Sequence, residues 1–197
     1  MLPRQPPAPA RPAVSRLPRC WLMTDRRLGD ALPALIAAMP PRSGVIIRPY
    51  AMDSQGQTAT IRAIRRICRA KRHVVLIAAR DGRGFDGVHA GGANRQTSRV
   101  KVCGLLSMPV HDEREAARAR RLGADLCLIS PVLLTRSHPG GAALGLSGFA
   151  RLARQIGPRA KALALGGMDA ARFTKARRHG AYGWAAIDAW LQADARP

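Results

Sequence analysis

The chain has 197 residues, 47% of them hydrophobic but only 4% aromatic, and a formal charge of +21. That length suits one domain whose core is mostly Ala, Leu, Ile and Val. No stretch approaches the ~20 apolar residues of a membrane-spanning helix, and the four cysteines make neither a C-x-x-C nor a zinc pattern.

The charge points to anionic partners: phosphorylated metabolites, nucleic acid or acidic surfaces. Arginine-rich, solvated helix faces would account for the same excess. Residues 1–19 hold six of the fifteen prolines, four arginines and no acid. They lack the apolar core of a secretory signal, and the prolines forbid an amphipathic helix. They are expected to form a disordered basic tail, or to precede a true start at Met23. A single domain is expected over 20–197, in a cytoplasmic protein.

From Cys20 onward, short apolar runs alternate with amphipathic stretches. Strands are predicted at 20–24 (CWLMT) and 44–48 (GVIIR). A helix over 58–70 follows, with Ile61, Ile64 and Cys68 on one face. Next come strands at 73–78, 86–90 and 100–106. A helix over 112–122 begins with Asp112-x-x-Glu115, a capping-box pattern, and ends at Gly123. Strands at 125–130 and 161–166 flank the seven-residue polar run after Leu134. A helix over 169–179 starts at Asp169, turns Phe173 and Ala176 inward and ends at Gly180. The eighth strand is 183–187. Repeated strand–helix alternation implies a parallel sheet, and eight units make a (β/α)8 TIM-type barrel. Only seven residues, 79–85, separate the third and fourth strands, against roughly a dozen for a helical crossover. Helices are therefore expected to be shortened or missing between strands 3 and 4 and between strands 4 and 5.

Chemistry-bearing residues follow the strands, where such folds keep their ligands. The stretch LISPVLLTRSHPGGAALG (128–145) is the plainest case: an apolar run passes directly into hydroxyls, a guanidinium, an imidazole and a flexible turn. Similar junctions occur in LMTDRR (22–27), FDGVHAGG (85–92), VHDEREA (110–116), LALGGM (163–168) and HGAYGWAAIDA (179–189).

In their order and spacing, from about Trp21 to Trp190, these pieces, together with VIIR (45–48) and with the sixth-strand piece taken as GADLCLISPVLLTRSHPG (123–140), resemble the family of thiamine-phosphate synthase and its relative, the thiazole tautomerase. The resemblance implies the same barrel. It implies a transferase of thiamine biosynthesis that couples a hydroxymethylpyrimidine diphosphate to a thiazole phosphate and releases pyrophosphate. Arg48 matches an arginine that faces the diphosphate. Thr135 and Ser137 match two phosphate-binding hydroxyls, and His138 stands where the family has a lysine. Gly166 and Gly167 match phosphate-binding glycines, whose bare backbone lets N–H groups approach a ligand. Ile187-Asp188 stands for the family's Ile-Ser.

Departures are equally specific. The family's two Mg2+-binding acids are replaced by Ala79 and Asn94, although Mg2+ favours carboxylate oxygens. Tyr50 replaces a lysine, and Pro109 a serine, with Ser107 nearby. The tautomerase alternative needs no diphosphate site and would use His111 as acid/base. A third reading is a non-catalytic barrel that binds a phosphorylated metabolite. Nucleic acid is disfavoured by the scarcity of aromatics and the lack of a binding signature, and a homo-oligomer would cover the thin side. Structural roles compete at several positions: His89 as a satisfied core histidine, His111 as a helix-flanking residue, the Gly166-Gly167 pair and the TRSHPGG loop as plain turns, and Asp188 as an N-cap.

Overall fold

The computed structural model describes residues 17–52, 56–91, 104–134 and 142–193. Eight parallel strands pair in sequence order and close, β8 against β1: β1 (Cys20–Met23), β2 (Gly44–Ile47), β3 (Val74–Ile77), β4 (Gly87–His89), β5 (Leu105–Val110), β6 (Leu126–Ile129), β7 (Lys161–Leu165) and β8 (Gly183–Ala186). The expected (β/α)8 barrel is the observed fold.

Alternation along each strand sorts the core into layers. Trp21, Ile46, Leu76, Leu105, Leu126 and Leu163 meet inside the barrel. Leu22, Val45, Ile47, Val75 and Ile77 point outward, beneath α1 (Leu32–Ala38) and α2 (Gln57–Lys71). On the other side α3 (Glu113–Arg121) and α4 (Gly145–Gln155) bury Ala116, Ala119, Phe149 and Leu152 against the sheet. The remaining helices are α5 (Ala170–Arg178) and α6 (Asp188–Ala193). Asp112 caps α3 by accepting from Glu115 N at 2.8 Å, and Asp169 caps α5 by accepting from Arg172 N at 2.7 Å.

No helix lies between β3 and β4. Its place is taken by a turn at Gly82–Phe85, whose Phe85 ring lies beneath the Arg65 guanidinium of α2 at 4.9 Å. The β4–β5 connection, 92–103, falls outside the described residues, and with it the expectation of a reduced helix there.

Two boundaries differ from the sequence reading. β5 occupies 105–110 and so runs past the predicted end at 106, while 100–103 lie outside the described residues: Pro109 removes one ladder donor, yet Met108 and Val110 stay buried and paired with β6. The chain is also ordered before Cys20. Leu17 is buried, Pro18 O accepts from Trp21 Nε1 at 2.8 Å, and Arg19 O accepts from Trp184 N at 2.8 Å. Residues 17–19 therefore belong to the barrel rather than to a tail. Among the described residues no helix is long and apolar enough to cross a membrane.

Candidate active site

The carboxyl ends of the strands open into a cavity of about 550 Å³. Its β1–β2–β8 side is a relay of charges. Thr24, buried at the end of β1, accepts from Arg48 N through Oγ1 at 2.8 Å and from Arg48 Nε through its carbonyl at 2.7 Å. Asp25 Oδ2 accepts from Arg48 Nη2 at 2.8 Å. Three bonds thus fix Arg48, the residue after β2, and Nη1 has no hydrogen-bond partner among the described residues. Asp25 Oδ1 accepts from Arg27 Nε at 2.8 Å, and Arg27 Nη1 donates to Asp188 Oδ1 at 2.7 Å. Burial alone would raise the Asp25 carboxyl. Hydrogen bonds from Arg27 and the charges of Arg27 and Arg48 outweigh it and hold the group below the usual carboxylate range.

Next to β8, on its paired strand, lies the turn after β7. Gly166 (φ +97°) and Gly167 (φ +62°) occupy left-handed backbone. A Cβ on Gly166 would stand 2.9 Å from Pro131 Cα, and one on Gly167 2.7 Å from the Leu134 carbonyl oxygen. The carbonyls of both glycines are engaged, by Leu133 N at 3.1 Å and by Arg172 Nη1 at 2.7 Å. What the turn offers a ligand is its N–H groups.

The third side follows β4 and β5. His89 is buried, and its Nδ1 shares a hydrogen bond with Ser107 Oγ at 3.0 Å. Burial, reinforced by the positive charges of Arg48 and His111, lowers the His89 imidazole to about 3. His111 leads into α3, and Glu115 Oε2 binds it twice: from His111 N at 2.8 Å and to Nδ1 at 2.7 Å. In the uncharged ring, a proton on Nδ1 facing that carboxylate leaves Nε2 as the acceptor; in the protonated ring both nitrogens donate.

Of the residues singled out in the sequence, Arg48, His111, Gly166, Gly167, Ile187 and Asp188 all line this cavity. Thr135, Ser137, His138 and Asn94 lie outside the described residues. Asp188 is the first residue of α6 rather than a cap before it, and its carboxylate is turned to Arg27. Sequence reasoning passed over Asp25 and Arg27 as site residues, although the acid and base directly after a barrel strand were a signal.

Among the described residues the cavity lining does not offer the acidic set that the Mg2+ implied by the family resemblance would need. Ala78 and Ala79 follow β3, and no acid occurs between Asp86 and Asp112, the span that includes Asn94. The two carboxylates lining the cavity, Asp25 and Asp188, are already bound to arginines. Among the described residues no cluster of three His, Cys, Asp or Glu could hold a metal ion.

Comparison with known proteins agrees with this architecture. A thiamine-phosphate synthase of Chloroflexus aurantiacus is 32% identical over 113 residues, which are 55% of this chain and 51% of that protein. The chain spans between 51% and 58% of the length of the curated relatives it matches. Among solved structures, thiamine phosphate pyrophosphorylase from Pyrococcus furiosus superposes with a TM-score of 0.69 at 18% identity, covering 89% of this chain and 87% of that one. Orotidine 5'-phosphate decarboxylase from Pyrococcus horikoshii shares the barrel with a TM-score of 0.59 at 14% identity, over 85% and 88% of the two chains. Structural likeness at such identities speaks for the fold alone. The sequence profile of the family described as thiamine monophosphate synthase, however, matches residues 22–190, nearly the whole barrel, and the chain belongs to that family.

Proposed function

We propose that the cavity is the active site of a thiamine-phosphate-synthase-type transferase acting on phosphorylated heterocycles. In that reaction the bond from the pyrimidine methylene carbon to the diphosphate oxygen breaks. Its electron pair leaves with pyrophosphate, and the thiazole nitrogen lone pair forms the new carbon–nitrogen bond. Charge grows on the leaving diphosphate, so fixed donors there accelerate the step. The observation that carries this reading is Arg48, a guanidinium held by Thr24 and Asp25 on the cavity that the Gly166–Gly167 turn also lines. Arg48 supplies counter-charge and directed donors to the diphosphate. N–H groups at Gly166, Gly167 and Ile187 receive the phosphate monoester. Thr135, Ser137 and His138 would add hydroxyls and a further donor. Because the metal donor set does not fit, the counter-charge is arginine.

The test is an end-point mass-spectrometric assay. Purified protein, hydroxymethylpyrimidine diphosphate and thiazole phosphate carboxylate, whose carboxylate leaves as carbon dioxide when the new bond forms, are mixed with Mg2+, and separately with a chelator. Thiamine phosphate above a no-protein control in both mixtures is the expected result. Product in neither removes the transferase reading.

A second reading, isomerisation of a thiazole phosphate carboxylate, is favoured by the His111–Glu115 pair. A carboxylate at 2.7 Å orients the imidazole.

A further inference from the structure

The cavity wall between β4 and β5 is formed by His89, Gly91 and Pro109. Pro109 has no N–H and no polar side-chain atom, and Gly91 has no side chain. His89 is thus the only side chain of the three with a hydrogen-bonding group. It is only 3% exposed. Its Nδ1 is committed to Ser107 Oγ at 3.0 Å, and Ser107 is itself fully buried. Nε2 has no hydrogen-bond partner among the described residues. It is not sealed off either: among the described residues the fully enclosed side-chain nitrogen or oxygen lacking a partner is Gln155 Oε1, so Nε2 borders the cavity. Gly91 keeps it uncovered, since a Cβ there would stand 2.7 Å from Nε2. A buried polar atom without a partner is costly, and a ligand that bonds to it removes that cost.

The imidazole cannot balance a phosphate. Burial and its cationic neighbours lower it to about 3, which leaves it uncharged at neutral pH. Neutral imidazole with Nδ1 engaged offers one donor or one acceptor at Nε2, according to where the Ser107 hydroxyl proton points. Its complement is an uncharged donor or acceptor, which a heteroaromatic ring can supply.

We propose that His89 is a specificity residue whose Nε2, fixed by Ser107 and left open by Gly91, hydrogen-bonds the uncharged heteroaromatic part of a phosphorylated ligand. This rests on the reading of the cavity as a site for phosphorylated heterocycles. It divides the labour there: Arg48 and the glycine turn hold anionic groups, and His89 reads the ring.

Calorimetric titration with thiamine phosphate and with inorganic pyrophosphate separates the two. His89→Leu removes the hydrogen-bonding atom. Gly91→Ala covers it without altering the histidine. Both should weaken thiamine phosphate about tenfold, the order expected of one neutral hydrogen bond, and leave pyrophosphate unchanged. His89→Gln should restore part of the loss. In 15N spectra of the wild type, the His89 Nε2 resonance should move with thiamine phosphate and not with pyrophosphate. Wild-type affinity for thiamine phosphate in both His89→Leu and Gly91→Ala overturns the proposal, as does equal loss for both ligands. Failure of the wild type to bind either ligand removes the underlying reading of the cavity and the proposal with it. Unaltered binding in the variants removes the proposal alone.

Discussion

The Arg48 guanidinium rests on the Asp25 carboxylate at 2.8 Å, and the same carboxylate is shared with Arg27 at 2.8 Å. One acid therefore orients two cations at the cavity mouth, and its titration is tied to stability. The native Asp25 carboxyl lies below its ordinary value of 3.8. Its contribution is fully present above that value and is lost as pH falls through the lower native one. Asp25→Asn should cost about 1–2 kcal/mol at pH 7, the scale of hydrogen bonds to a charged group. Urea unfolding of both proteins from neutral pH down to the acid limit of the fold checks this. The gap between them should hold above the ordinary carboxyl value and close below it. A gap that stays constant into acid would show that Asp25 acts by shape rather than charge.

A second expectation concerns His111 and Glu115. If the pair performs isomerisation, His111→Ala should lower turnover by about 10²–10⁴-fold, the usual worth of a general base. Glu115→Gln keeps the α3 cap but exchanges the carboxylate that faces Nδ1 for an amide. It should lower turnover less, with the thermal midpoint little changed, because the pair is partly exposed, at 39% and 27%. Turnover and circular-dichroism melts are measured together. Unchanged turnover in His111→Ala would leave His111 as a helix-flanking residue.

Much of this arrangement was legible in the sequence because it is local. Strand positions follow from apolar runs between turn residues, and the Asp112 and Asp169 caps from spacing within one helical turn. The placing of Arg48, His111 and Gly166 on one cavity follows from their positions after barrel strands. The charge relay was not legible. Arg27 and Asp188 are 161 residues apart and Asp25 and Arg48 are 23 apart, so barrel closure alone brings them together. β5 runs past its predicted end for a different reason: Pro109 interrupts the pattern of a good strand, while burial of its neighbours keeps the strand paired. His89 was read as a satisfied core histidine, which is half of what it is. Satisfaction at Nδ1 depends on Ser107, 18 residues away, and the open side at Nε2 depends on the absence of a side chain at Gly91.

The turn after β7 gives a third test. Gly167→Ala forces a side chain onto left-handed backbone, worth about 1–2 kcal/mol, and drives its Cβ to 2.7 Å from the Leu134 carbonyl. Gly157→Ala is the control, since Gly157 also has positive φ, at +81°, but its nearest neighbour would be Arg120 at 3.8 Å, away from the cavity. Both variants should lose stability in urea titrations, Gly167→Ala the more. Gly167→Ala should in addition weaken inorganic phosphate. Equal phosphate binding by the two would deny the turn a part in anion recognition.

The Arg27–Asp188 pair makes the last prediction, because here stability and binding should respond differently. The partners are 35% and 29% exposed, so the pair is worth no more than about 1 kcal/mol to the fold. For an anion in the cavity the effect is larger. Arg27 neutralises the Asp188 carboxylate beside the β8 end, and without it that carboxylate faces any phosphate that enters. Arg27→Ala should weaken pyrophosphate about tenfold while barely moving the thermal midpoint. Asp188→Asn alone should change little, because the charge it removes is already balanced. In the Arg27→Ala background the same substitution should recover a good part of the lost affinity, a non-additivity that a double-mutant cycle reads directly. Raising salt should narrow the difference between wild type and Arg27→Ala, since part of it is screened Coulomb repulsion. Strictly additive effects would place the bound anion away from Asp188, toward Arg48 and the glycine turn, and would restrict the role of Arg27 to holding Asp25.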